Sequence, residues 1–180
     1  MRARRTAVVI GLLTTVAALT GCSTGPDVVA EVEGRTITEA DLDRVVTELG
    51  PLLADSSRGA VLSAIVQSTA GLELGERNDI EVPEERAAQF LDSLAETVGA
   101  DAADWGDGSL TIARMQLLGQ DLSQLPDGEA VNAQYEEILT NLDVTVSPRY
   151  GQYDPVTGVV VPLDLEWIVT PGADEQATGR

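Results

Sequence analysis

The chain has 180 residues, a net charge of −19 and an aromatic content of 3%, which suits one domain built on an aliphatic core. All 11 basic residues are Arg, and both Lys and His are absent. That excludes Schiff-base lysines, phosphate loops of the Walker type and any Ser-His or Cys-His nucleophile pair, and it removes the commonest metal ligand. The acidic balance argues against nucleic acid and anionic lipid surfaces, which both reward clustered positive charge; a purely solubilising role is its simplest use.

Residues 1–21 read as a secretory signal peptide. Arg2, Arg4 and Arg5 make a basic start, residues 7–18 are an uncharged apolar run, and Leu19-Thr20-Gly21-Cys22 closes it. A permanent span needs about 20 apolar residues, and this run is shorter. Cys22 is the single cysteine of the chain, so no internal disulfide forms. Residues 22–27 are a polar spacer, 28–170 the folded domain and 171–180 a polar tail expected to be disordered.

Within the domain, residues 28–37 alternate as a strand with one buried face, and Gly34-Arg35 suits a tight turn. Thr38 with Asp41 three residues on makes a variant capping box. Leu42, Val45, Val46 and Leu49 then give a helical stripe that Gly50-Pro51 ends. A second helix over residues 57–77 has the widest apolar face and is expected to be central, with Gly59, Gly71 and Gly75 allowing close helix approach. Pro83, Glu84 and Glu85 open a third helix, with Phe90, Leu91 and Leu94 in its stripe. A fourth is expected over 110–122, with Ile112, Met115, Leu118 and Leu122 inward, and a fifth over 129–142. Residues 144–146 are strand-like and 148–151 a turn. Pro162 and Pro171 discourage a central strand near the run of valines at 159–161, and Leu165, Trp167 and Ile168 suit one more extended piece. The class is therefore mostly α with a small antiparallel sheet (α+β): about five helices closed by N- and C-terminal strands, the first strand pairing with the one after the fifth helix.

Two resemblances follow from these residues. Leu19-Thr20-Gly21-Cys22 resembles the lipobox of bacterial lipoproteins, which implies cleavage after Gly21 and a lipid on the Cys22 sulfur. The segment from Val29 to Leu42 and the link from Asn78 to Glu85 resemble the N-terminal domain of the SurA and PrsA chaperones. The run from Val144 to Gly151, followed by Asp154-Pro155, resembles short actinobacterial lipoproteins that carry such a domain. The isomerase members of that family hold a separate parvulin domain with an active-site histidine; no span here fits one, so prolyl isomerase activity is not expected. The resemblance implies the fold and the binding of non-native polypeptide.

No catalytic, cofactor or metal-binding residues are predicted. Asp101, Asp104 and Asp107 near Trp105 lack the spacing of an EF-hand calcium loop. The adjacent pairs Glu84-Glu85 and Glu136-Glu137 point to different helix azimuths and cannot share a substrate. Arg149, Tyr150 and Tyr153 form the candidate surface patch, against the plainer reading of tyrosines packed at a strand end. The expected function is that of a non-enzymatic lipoprotein on the extracytoplasmic face of the membrane, held by Cys22 and binding unfolded or secreted polypeptide in an apolar groove between helix faces. The alternatives are an interaction module for one specific envelope or secretion partner and a domain whose stripes are all core.

Overall fold

The computed structural model describes residues 25, 27–101 and 104–163. The elements run β1 (Val28–Val32), β2 (Arg35–Thr38), α1 (Glu39–Leu49), a 3-10 turn (Gly50–Leu52), α2 (Arg58–Arg77), α3 (Glu84–Val98), α4 (Asp107–Leu122), α5 (Gly128–Asn141), β3 (Val144–Val146), β4 (Gln152–Asp154) and β5 (Val159–Val161). This is the expected α+β class, with five α-helices and small antiparallel sheets among the described residues. Cys22, the signal run, residues 165, 167 and 168 and the tail lie outside the described residues.

The single strand expected over residues 28–37 is instead a hairpin. Glu33 and Gly34 both take left-handed backbone, with φ of 50° and 72°. Two such residues make the turn that matches the right-handed twist of paired strands, so the chain reverses one residue earlier than Gly34-Arg35. β1 pairs with β2 in the register Val32↔Arg35, Glu31↔Thr36, Ala30↔Ile37. On its other side β1 pairs with β3, Ala30 facing Val146 and Val32 facing Val144. The closure of the domain by its first and late strands is thus as expected. The hairpin tip is fastened to β3 as well: Glu33 N–H donates to the Asp143 carbonyl at 2.9 Å, and Asp143 N–H donates to Glu33 Oε1 at 2.7 Å.

The valines at 159–161 are also paired. They form a second antiparallel sheet with β4, Tyr153 opposite Val160, and Pro162 interrupts nothing because it follows the last strand residue. Val160 N–H donates to Ser63 Oγ at 2.9 Å, seating this hairpin on α2.

The α1 capping box forms as its residues predict. Asp41 N–H donates to Thr38 Oγ1 at 3.2 Å, and Thr38 N–H donates to Asp41 Oδ2 at 3.0 Å. α2 is the central helix, packed against α1, α4, α5 and β5. Val61, Leu62, Ile65, Val66, Ala70 and Leu74 are buried along it. A Cβ on Gly71 would run into the Met115 side chain of α4, and one on Gly75 would stand 2.9 Å from Leu118. Those two glycines let α4 approach closely. Gly59 meets nothing within 4 Å, so it has no such role.

Two helix starts shift. Pro83 caps α3 from just outside, its carbonyl accepting from the Ala87 N–H at 3.2 Å. α4 begins at Asp107, three residues before the expected start, for a tertiary reason given below. Its buried row is Ser109, Ala113, Leu117, Leu118 and Leu122, whereas Ile112 and Met115 are half-buried.

Candidate functional site

Arg149 and Tyr150 come together, and Tyr153 stands apart. Tyr150 ends the turn after β3, where its N–H donates to the Ser147 carbonyl at 2.8 Å. Its hydroxyl accepts from Arg58 Nη2 at 2.6 Å and donates to Glu39 Oε2 at 2.6 Å. Arg58 also bonds Asp43 and Glu39, and Arg149 Nη2 lies 3.0 Å from Glu39 Oε1. Both guanidinium groups lie over the Tyr150 ring, at 5.6 and 6.0 Å from its centroid. Burial, and then the bond to Glu39, raise the Tyr150 hydroxyl pKa against the lowering effect of Arg58. The cluster fastens the C-terminal segment to the first turns of α1 and α2. Tyr153 packs from β4 toward α5, donating to the Leu139 carbonyl at 2.8 Å. It is the tyrosine seated at a strand, while Arg149 and Tyr150 share the Glu39 cluster.

A second polar device sets the geometry of the opposite end of α1. Glu48, near the end of α1, reaches the start of α4. Its carboxylate accepts from Gly106 N–H at 2.9 Å and Ser109 Oγ at 2.5 Å, and from Arg44 Nε at 2.6 Å. It acts as an N-cap supplied from another helix, which is why α4 begins so early. Burial pushes the Glu48 carboxyl up, but the bonds from Ser109, Arg44 and Gly106 together bring it below its ordinary value. Arg44 Nη2 in turn donates to the Asp104 carbonyl at 2.6 Å. Among the described residues no group of three His, Cys, Asp or Glu is placed to hold a metal ion.

Between these anchored starts lies a cleft of about 340 Å³. β2, the first turns of α1, the middle of α2 and the start of α4 enclose it. Val32, Ile37, Val45 and Ile65 supply aliphatic lining, and each is less than 9% exposed. Thr36, Thr69 and Thr111 add hydroxyls; Arg35, Arg44, Asp41 and Asp107 add charges of both signs. Arg35 and Asp107 meet across the cleft at 3.4 Å. The Thr38 hydroxyl and N–H hold the Asp41 carboxyl below its usual range, so it is a charged acceptor at neutral pH. Gly108 is required here because a Cβ would fall 2.5 Å from Val45 Cγ2.

No family model, curated protein or solved structure matches this chain.

The sequence points to the tyrosines and carries no signal for the cleft. The cleft residues come from five elements, β1, β2, α1, α2 and α4, and share no spacing; the early start of α4 adds Asp107 and Gly108 to the helix that borders the cleft.

Proposed function

We propose that this chain is a non-enzymatic lipoprotein, anchored through Cys22 on the extracytoplasmic face of the membrane, whose domain binds polypeptide in the cleft between β2 and α4. The observation that carries this reading is the cleft's lining: four aliphatic side chains below a border of hydroxyls and paired charges. That combination suits an apolar side chain with its flanking main chain. The likeness of the segments around Val29–Leu42 and Asn78–Glu85 to the SurA and PrsA N-terminal domain supports it. Among the described residues no helix is long and apolar enough to cross a membrane, and the reading gives membrane attachment to the lipid on Cys22.

The test is suppression of aggregation of an unfolded client, with an equally acidic inert protein as control because charge alone solubilises. The parent should protect better than the control. Thr111→Trp, which fills the cleft, should abolish the difference while thermal melting stays cooperative. Protection equal to the acidic control, or unchanged in Thr111→Trp, would sink the reading.

One observation favours a single defined partner over broad client capture. Among the described residues, Val98 and Val156 are the large apolar side chains left exposed, at 55% and 81%. A domain with so little free apolar surface besides one small cleft suits a short recognised segment of an envelope or secretion component. Recovery of one stoichiometric partner by crosslinking at the cell surface, with no protection of unrelated clients, would establish that version.

A further inference from the structure

Among the described residues β2 is an edge strand: the order β2-β1-β3 leaves its outer side without a neighbouring strand. Arg35, Thr36 and Ile37, three successive residues of β2, all border the cleft. Side chains alternate across a strand. Arg35 stands opposite Val32 and Ile37 opposite Ala30, on the face that carries the buried residues; Thr36 stands opposite Glu31, itself opposite Thr145, on the other face. A cavity that touches all three therefore runs along the strand's edge, where main-chain N–H and C=O groups are presented. Unpaired strand edges are templates for another chain. Extended peptides use them through main-chain hydrogen bonds, with pockets taking alternate side chains.

We propose that an extended, basic polypeptide segment docks as an added strand on β2 and places an aliphatic side chain against Val32, Ile37, Val45 and Ile65. This rests on the polypeptide-binding reading and specifies its mode. The sign of the partner follows from charge complementarity: a chain of net charge −19 draws basic segments and repels acidic ones, including a second copy of itself. The Arg35–Asp107 contact that crosses the cleft yields readily, because its side chains are 67% and 88% exposed and such pairs contribute little. An incoming Arg or Lys takes over Asp107 as Arg35 turns outward.

The purified chain is titrated, at fixed physiological salt, with a short fluorescent peptide that alternates aliphatic residues and Arg. Two isomers of that peptide carry N-methyl groups at all odd or all even positions. Strand addition uses the N–H groups of every second residue, so one isomer should lose about tenfold in affinity and the other bind like the parent peptide. Asp107→Arg, at an exposed position whose folding is checked by melting, should weaken the parent peptide about fivefold. Equal binding by both isomers, or equal loss, overturns strand addition while leaving polypeptide binding in place. Binding that Asp107→Arg strengthens overturns the choice of a basic partner. Dimerisation that competes with the peptide makes a second copy the occupant and overturns the proposal. Failure of all three peptides to bind, together with absent client protection, removes the underlying reading as well.

Discussion

Glu48 shows how one side chain in this protein holds two elements. It is 10% exposed as a side chain and binds Gly106, Ser109 and Arg44. Replacing it with Ala strands the Gly106 N–H and the fully buried Ser109 hydroxyl, and hydrogen bonds to a charged group contribute about 1.5–3 kcal/mol each. Glu48→Ala should therefore lower stability by about 3 kcal/mol, measured by urea unfolding, and fray the first turn of α4. Its carboxyl pKa is lowered in the folded state. The charged form thus stabilises the fold fully above the unfolded value of about 4.3, and that contribution is lost as pH falls through the lower folded value. Glu48→Gln should flatten the acid limb of the stability curve between the unfolded value and the lower folded one, and change the neutral limb by a constant offset.

At the scale of elements, the packing of α2 on α4 turns on glycine positions that share a residue type and differ in surroundings. Gly75 lies where a Cβ would stand 2.8 Å from the Ile80 carbonyl oxygen and 2.9 Å from Leu118. Alanine gains up to about 1 kcal/mol of helix propensity over glycine, but overpacking against backbone costs about 1–3 kcal/mol. Gly75→Ala should destabilise by about 1 kcal/mol. Gly59, with nothing within 4 Å, has only the propensity term, so Gly59→Ala should stabilise by about 0.5 kcal/mol. Thermal melting of both variants checks the pair of signs. Two changes of the same sign would mean that α4 does not rest on Gly75 as described.

For the whole molecule, the segment after α5 supplies closure. β3 completes the sheet on β1, Tyr150 ties to Arg58 and Glu39, and β5 covers α2 through Val160. Deleting residues 143–180 removes all three, uncovers β1 and leaves the Glu39–Arg58 pair without its phenol. The truncated chain should lose cooperative melting; a truncated form that melts as sharply as the parent would show these contacts to be dispensable. The proposed lipid anchor at Cys22 belongs to this scale too. Cys22→Ala should abolish incorporation of a fatty-acid analogue and leave the chain uncleaved or mislocated; equal labelling of parent and variant would sink the lipoprotein reading.

What the sequence determined by itself is the set of features whose partners are near in the chain. Thr38 and Asp41 are three residues apart, so the capping box was legible. The helix stripes were legible because burial repeats at the helical period, and the class and the β1–β3 closure followed from counting them and from the two strand runs at the ends. The hairpin turn was misplaced by one residue because Glu33 adopts a left-handed backbone that its residue type does not announce. The tertiary structure alone decided the rest. Glu48 is 58 residues from Gly106 and Arg58 is 92 from Tyr150. Such pairs depend on where helices cross, and no spacing encodes that. The cleft is the clearest case: Arg35, Val45, Ile65 and Thr111 line one cavity from four different elements, and beside it an acid from α1 caps the start of α4, a long-range bond at a local boundary.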